Sequence, residues 1–256
     1  MSLHVEYSAL DSLRFGYRIA RARIDGDDGG SAVGPDVSAL VEALDGYDIA
    51  ILRAPASLPH LAAALTMVPG WRSFTADHLM YWEWRGPTVE ASAGDERYRI
   101  ETCADAGRIE PMLRLSFTGY RNHYAANPLL DPAGALDGYV EWAMTMIGSG
   151  TALTKVAIDE AERVMAFGIL DLSVELPDIR LAGVHPEAQG AGLYGQVVRE
   201  LLAAAVTLDR LPVRISTQSD NTNVMRSWSR MGFVPVSALA TFHLVADRLG
   251  PLAPRR

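Results

Sequence analysis

Residues 184–195, reading Val-His-Pro-Glu-Ala-Gln-Gly-Ala-Gly-Leu-Tyr-Gly, constrain this chain more than any other stretch. A strand-like run, Ile179 to Val184, enters the segment, and an amphipathic helix from Leu193 to Leu208 leaves it. Glycines at 190, 192 and 195 strip side chains from the turn. Several backbone N–H groups can then converge where a helix begins, and that positive end is a ready site for an anion such as a pyrophosphate.

The elements that follow give the turn its weight. A strand from Pro212 to Thr217 leads to Gln218-Ser219-Asp220-Asn221, and a short helix from about Thr222 to Met231 comes next. Gly232-Phe233 and an alternating strand from Ala238 to Val245 close the series. Upstream, a strand (Tyr98 to Thr102), a helix (Ala104 to about Phe117) and a second helix (Ala133 to Ile147) precede the hairpin Leu153 to Ile158 and Val164 to Leu172.

This order of strand, Gln-x-x-Gly turn, helix, strand, Asn, helix, Gly-Phe, strand resembles the GNAT superfamily of acyl-CoA-dependent N-acyltransferases, over roughly residues 96–245. The resemblance implies an α/β (α+β) fold, a central mixed twisted sheet flanked by helices. It implies acetyl-CoA, or another acyl-CoA, as the cofactor. Its arm is expected along Ala182, Gly183 and Val184, and its pyrophosphate at Gln189, Gly190, Ala191, Gly192, Leu193, Tyr194 and Gly195. Asn221 and Trp228 are expected beside the arm. Asn221 can also act as a helix N-cap.

Two departures stand out. The family's turn ends on a small residue where this chain has Tyr194, which suggests an altered loop with Gly195 directly behind it. The family also often carries a tyrosine acid where Trp228 stands, and an indole has one N–H donor and no proton to transfer at neutral pH. A positioned acid is worth about 10²–10⁴ in rate, and a thiol of pKa about 8.5 already leaves tolerably. No carboxylate lies within Ile179 to Val184, although Asp178 and Glu187 flank it and Asp171 lies on the preceding strand. Deprotonating an amine of pKa about 10.4 at pH 7 costs about 4–5 kcal/mol, against about 1 for one near 7.8. A weakly basic amine, or a water relay, fits the missing base.

The loop after the first helix of this unit supplies the acceptor-site candidates implied by the resemblance. Tyr120, His123 and Tyr124 are the catalytic candidates, with His123 as base. Arg121, Tyr120 and His123 are the substrate-binding ones, with Arg121 able to pair with a phosphate. Thr217-Gln218-x-x-Asn221-Thr222 and Leu10-Asp11-Ser12-x-x-Phe15-Gly16 resemble the amino-sugar branch, the dTDP-fucosamine acetyltransferases. The acceptor this implies is a small-molecule amine drawn from nucleotide-linked amino sugars, and no metal is expected. Arg226 and Arg230, one helical turn apart, are candidates for the CoA 3′-phosphate, with a solvated helix face as the plainer role.

Residues 1–90 are expected to form a smaller α/β partner domain resembling a degenerate half of the acyltransferase fold, ahead of a domain over 96–256. The boundary is expected in Gly86 to Gly94, a run of turn formers. Strand-like pieces lie around Asp11 to Phe15, a polar glycine-rich loop spans Asp25 to Gly34, and helical spacing follows Pro35 at Val37, Leu40, Val41 and Leu44. Asp48 to Arg53 reads as a buried strand, Leu58 to Met67 as a helix and His78 to Trp84 as a strand. Helix, Gly70-Trp71, strand echoes helix, Gly232-Phe233, strand.

A net charge of −8 argues against a nucleic-acid surface. The single cysteine, Cys103, excludes an internal disulfide and fits a reducing, cytoplasmic setting. No apolar run reaches the length of a membrane span, and a homodimer is allowed for. Three functions remain: an acetyl-CoA-dependent N-acetyltransferase, a catalytically quiet acyl-CoA-binding module, or an enzyme using another acyl group or acceptor.

Overall fold

The computed structural model describes residues 2–25, 37–58, 60–89, 95–120 and 122–252. By contacts the chain divides into two compact units: Met1–Met80 with Arg121–Ala135 and Ser237–Arg256, and Tyr81–Tyr120 with Leu136–Val236.

The first unit contains β1 (Ser2–Tyr7), α1 (Ala9–Phe15), β2 (Ile19–Asp25), α2 (Val37–Ala43), β3 (Ile49–Pro55) and α3 (Leu61–Thr66). It also holds most of β4 (Trp71–Trp84), up to Met80, and most of β10 (Val234–Ala246), from Ser237. The strand order is β1-β2-β3-β10-β4. β2 and β3 are parallel, as a helical crossover through α2 requires, while β1 and β10 run antiparallel to their neighbours β2 and β3. Alternation sorts the strands into two faces. Ala20, Ala22, Ile24, Leu52, Phe242 and Leu244 turn one way and pack with Leu40, Leu44, Leu61 and Leu65. The opposite positions of β2, β3 and β10 carry Arg21, Arg53, Thr241 and His243.

The expected strand around Asp11 to Phe15 is a helix instead. The Ser8 hydroxyl accepts from the Asp11 N–H, and Gly16, at φ 73°, ends the helix in the left-handed region with its N–H on the Ser12 carbonyl. These caps outweigh the weak amphipathic pattern, in which Leu10 and Leu13 remain exposed. The strand expected from His78 begins at Trp71. Gly70 and Gly232 both adopt positive φ, 78° and 85°, after a helix; an aromatic residue follows each, Trp71 opening β4 and Phe233 just ahead of the strand that begins at Val234. Most of the glycine-rich loop, with Pro35 and the end of the expected boundary, lies outside the described residues.

The second unit contains Tyr81–Trp84 of β4, then β5 (Tyr98–Thr102), α4 (Ala106–Phe117), α5 (Pro132–Gly148) from Leu136, β6 (Ala152–Asp159) and β7 (Val164–Asp171). β8 (Asp178–Val184), α6 (Leu193–Thr207), β9 (Val213–Gln218) and α7 (Thr222–Arg230) complete it. Its strand order is β4-β9-β8-β7-β6-β5. β5 to β8 are antiparallel neighbours, and β8 and β9 are parallel, which gives the mixed sheet expected. On one face α4 and α5 bury Ile109, Leu113, Val140 and Ile147 against Val156, Phe167 and Ile169. On the other, Val198, Leu201 and Leu202 of α6 and Trp228 of α7 pack on Ile179, Val213, Ile215 and Trp84. Burying a side chain of this size contributes about 1.5–3 kcal/mol, so α6 and α7 are firmly seated. Among the described residues no helix is long and apolar enough to cross a membrane.

Candidate active site

The exit from β8 is built to present amides. A short 3₁₀ turn, Pro186–Ala188, is capped by the His185 ring, whose Nδ1 accepts from the Glu187 N–H at 3.2 Å. Gly190 and Gly192 follow at φ 85° and 77°. A side chain at either would meet nothing within 4 Å. Glycine is needed there for the backbone angle and not for space. Gly192 is the N-cap of α6 and no side chain satisfies the helix end. The N–H groups of Leu193, Tyr194 and Gly195 therefore have no acceptor within the helix, and they lie at its positive end. A Cβ at Gly195 would sit 3.0 Å from the Arg199 guanidinium, which places a cation beside the same amides.

β8 and β9 begin as a pair and then part. Their register covers two residue pairs, Asp178 with Arg214 and Ile179 with Ile215. Beyond that vertex Leu181 to Val184 keep their β7 partners, Ile169 to Ala166. Their edge toward β9 carries no registered pairing. The β7 register jumps between Ile169 and Leu170, so Arg180 is bulged next to the vertex. At Gly183 a Cβ would come within 2.6 Å of the Ser116 hydroxyl of α4 and 2.8 Å of Phe167. Glycine here allows α4 to close on the strand, and the buried Ser116 Oγ has no hydrogen-bond partner.

Two hydrogen-bonded pairs span the opening between the strands. The Tyr120 hydroxyl, at the end of α4, donates to Gln218 Oε1, at the end of β9. The Trp228 Nε1–H of α7 donates to the Tyr194 hydroxyl of α6 at 2.8 Å. Burial raises the Tyr194 pKa above the ordinary phenol value; the Trp228 bond works against the shift and Tyr120 adds to it. Trp228 is buried against Trp82, edge-on, and Phe233.

Below the vertex a row of charges alternates in sign across four strands. Asp171 accepts from Arg180 Nε at 3.1 Å, and Arg180 Nη1 lies 2.9 Å from Asp178 Oδ2. Arg214, opposite Asp178, donates to Glu83 Oε1 at 3.0 Å, and Arg85 donates to Glu83 Oε2 at 2.7 Å. Burial pushes the Asp178 carboxyl up to about 6, against the pull of Arg180 and Arg214 and with Asp171 adding repulsion. Glu83 moves the other way: burial raises it, but hydrogen bonds from Arg85 and Arg214 hold it below the usual carboxylate range. Asp178 Oδ1 and Arg214 Nε are both buried without partners.

The sequence-derived residues separate into two groups. Ala182, Gly183, Val184, the 189–195 turn, Asn221, Trp228 and Tyr120 are all in the second unit. Asn221 stands at the N-cap of α7 but does not cap it; its Nδ2 donates to Thr217 Oγ1 at 3.0 Å. His123 and Tyr124 are in the first unit, and Arg121 lies outside the described residues. Tyr124 donates to Asp11 Oδ1 at 2.9 Å and accepts from Arg21, whose Nε reaches Asp11 Oδ2 at 2.7 Å. His123 Nδ1 is 3.0 Å from His243 Nε2, and His243 Nδ1 is 3.1 Å from Asn127 Nδ2. Burial first, then the neighbouring His243, Arg21 and Arg53, keeps His123 neutral well below the usual histidine range. Arg226 and Arg230 are exposed on α7.

Nothing in the sequence marks Glu83 or Arg199 as site residues, and Asp178 is marked only as a carboxylate flanking the strand. Asp178 alone carried a signal, since it directly precedes the strand that enters the turn.

No protein-family model matches the chain, and no curated protein does. Solved structures do. A GCN5-related N-acetyltransferase from Sphaerobacter thermophilus superposes with a TM-score of 0.63 at 12% identity, covering 99% of this chain and 78% of that one. A tandem GNAT protein from the clavulanic acid biosynthesis pathway gives 0.60 at 15% identity, over 92% and 79%. A GCN5-related N-acetyltransferase from Kribbella flavida gives 0.56 at 10% identity, over 89% and 81%. Likeness at this level of identity is a likeness of fold: a mixed α/β sheet flanked by helices, as in GNAT proteins.

Proposed function

We propose that the chain is an acyl-CoA-dependent N-acetyltransferase acting on the amine of a small polar acceptor, with a nucleotide-linked amino sugar as the leading candidate. One observation carries the reading: β8 and β9 part beyond Ile179 and Ile215, and the glycine turn with its bare helix end stands at the mouth of the gap.

The residues present fit such a cofactor. The N–H groups of Leu193, Tyr194 and Gly195, with Arg199 beside them, would hold the pyrophosphate. The unpaired edge of Leu181 to Val184 would take the amides of the pantetheine arm, with the Ser116 hydroxyl and Asn221 nearby. The bound cofactor supplies an activated thioester. What the chain adds is orientation and charge. Backbone N–H groups at the bulge would face the carbonyl where negative charge develops, and Asp178 offers a carboxyl whose pKa of about 6 leaves it ionised at neutral pH. For the arm to enter, the Tyr120–Gln218 and Tyr194–Trp228 pairs must separate.

The first unit as a degenerate half-copy of the same fold belongs to this proposal, supported by the shared helix, left-handed glycine, aromatic and strand sequence at Gly70 and Gly232. A cytoplasmic setting and a homodimer belong to it too.

A second reading, a catalytically quiet acyl-CoA-binding module, is favoured by Trp228, which cannot protonate a thiolate, and by the two pairs closing the gap. Titration calorimetry with acetyl-CoA followed by thiol release across amino sugars, amino acids and polyamines separates the two. Heat without thiol from every acceptor selects the binding module; absence of heat ends both.

A further inference from the structure

The face of the first unit's sheet that turns away from its apolar core carries donors that nothing accepts. Arg53 of β3 and Thr241 of β10 are directly opposed across the ladder, so their side chains leave the sheet on the same side. His243, two positions along β10, shares that side. Thr241 and His243 are fully buried. Thr241 Oγ1 and Arg53 Nε are both shut off from solvent without a hydrogen-bond partner. Native proteins rarely leave buried polar atoms in this state, because each bears its desolvation cost uncompensated.

The neighbouring arginines on this face are matched. Arg21 donates to Asp11 and to the Tyr124 hydroxyl, and exposed Arg23, beside Arg53 on β2, pairs with Asp25 at 2.5 Å. Among the described residues no carboxylate does the same for Arg53. Arg53 is only half-buried, so an anion from solvent can reach it.

A third donor follows from the bonds of the histidine pair. Asn127 Oδ1 accepts from the Leu129 N–H at 3.0 Å, which fixes the amide with Nδ2 toward His243. An amide nitrogen only donates, so His243 Nδ1 accepts, and the neutral ring carries its proton on Nε2. That proton is given to His123 Nδ1, 3.0 Å away. His123, neutral as well, therefore carries its own proton on Nε2, where no acceptor meets it among the described residues. Burial does most to keep both rings neutral, and the charge of Arg53 adds to it in each, which puts the guanidinium within electrostatic reach of the pair.

We propose that Arg53, the Thr241 hydroxyl and the His123 Nε2–H form a binding site for a small organic carboxylate. All three residues belong to the first unit, and the inference does not depend on acyl transfer. The charge count selects the ligand. With Arg21 and Arg23 matched and both histidines neutral, one guanidinium charge remains, and a carboxylate neutralises it; a phosphate group would bring about −1.5 to −2. A guanidinium fork with a hydroxyl beside it also suits the two oxygens of a carboxylate. Half-buried Phe74, its ring 5.7 Å from that of His243, offers a flat apolar surface to the body of the ligand.

Benzoate is the probe, with benzamide as the uncharged control and phenyl phosphate as the rival anion. Binding to the full chain is located by NMR at the Arg53 Nε–H, assigned with Arg53→Lys, and its affinity is measured by calorimetry. Benzoate shifts that signal, and benzamide binds at least about tenfold more weakly. Thr241→Val removes the hydroxyl at nearly constant shape. It weakens benzoate about tenfold and raises the denaturant midpoint, since an unpaired buried hydroxyl is gone. Arg53→Met abolishes the benzoate heat. A Nε–H signal that ignores benzoate, or heat that persists in Arg53→Met, overturns the site. A lower midpoint in Thr241→Val with benzoate affinity unchanged makes that hydroxyl structural and overturns its part. Phenyl phosphate binding more tightly than benzoate overturns the carboxylate assignment.

Discussion

Trp228 and Tyr194 meet across the mouth of the parted strands, the indole N–H donating to the phenol oxygen at 2.8 Å. Both residues depart from the pattern that the sequence resemblance leads one to expect, and this hydrogen bond joins them. The indole N–H gives the phenol hydroxyl a partner. A net hydrogen bond of this kind is worth about 1 kcal/mol, close to fivefold in affinity. Tyr194→Ala should therefore tighten acetyl-CoA binding about fivefold or more by calorimetry, and Trp228→Phe by a similar factor. Weaker binding in both variants would mean that the pair grips the cofactor and does not bar it.

The glycine turn makes a sharper prediction because its three glycines differ. Gly190 and Gly192 hold positive φ in open space, so valine there meets backbone strain of about 1–2 kcal/mol per residue and no clash. Each variant should lose that stability in denaturant titration and bind acetyl-CoA at least about tenfold more weakly as the amides turn away. Gly195 is helical, and its added Cβ would meet only the movable end of Arg199. Gly195→Ala should gain about 0.5–1 kcal/mol. Equal behaviour of all three would remove the conformational argument for the turn.

How much of this was legible in the sequence follows from contact range. The turn, its strand and its helix are local, and Gly190 and Gly192 announce positive φ by being glycine. The helix at Ala9–Phe15 was hidden because its evidence is a cap, Ser8 with Gly16, and not a hydrophobic stripe. Arg214 reaches Glu83 across 131 residues and His123 reaches His243 across 120, so neither partner could be named in advance. Asp178 is adjacent to the turn's own strand, yet its importance comes from burial beside Arg180, Arg214 and Asp171, which only the fold supplies. His123 is a candidate by loop position alone, and only the fold shows that it is buried beside His243.

Asp11 anchors the first unit through Arg21 and Tyr124. Burial raises its pKa, but the charge of Arg21 and hydrogen bonds from Arg21, Ser8 and Tyr124 outweigh that and hold it below the usual range. Removing one partner of a buried pair typically costs about 3–5 kcal/mol. Arg21 keeps 29% exposure, which puts Asp11→Ala near the lower end, about 3 kcal/mol. Tyr124→Phe, which loses the hydroxyl alone, should cost about 1–2 kcal/mol. Denaturant midpoints for the two variants check the order, and a larger effect from Tyr124→Phe would overturn it.

The histidine pair sets the acid limit of the same unit. His243 lies between His123 and Asn127, with Phe74 5.7 Å away. Burial, with Arg21 and Arg53 adding to it and Asp11 opposing it, lowers its pKa to about 3. In the unfolded chain the same ring titrates near 6.5. Between those values the unfolded state binds the extra proton, so stability falls as pH falls, by about 1.4 kcal/mol per pH unit for each such group. Above about 6.5 both states hold the ring neutral and the dependence vanishes. Denaturation at pH 7.5 and 4.5 should show the wild type losing about 2–3 kcal/mol more than His243→Phe over that interval. The variant is less stable at neutral pH, since His123 and Asn127 lose a partner, but its acid slope is shallower. Identical slopes would mean that the loss comes from carboxylates elsewhere and that the pair does not govern it.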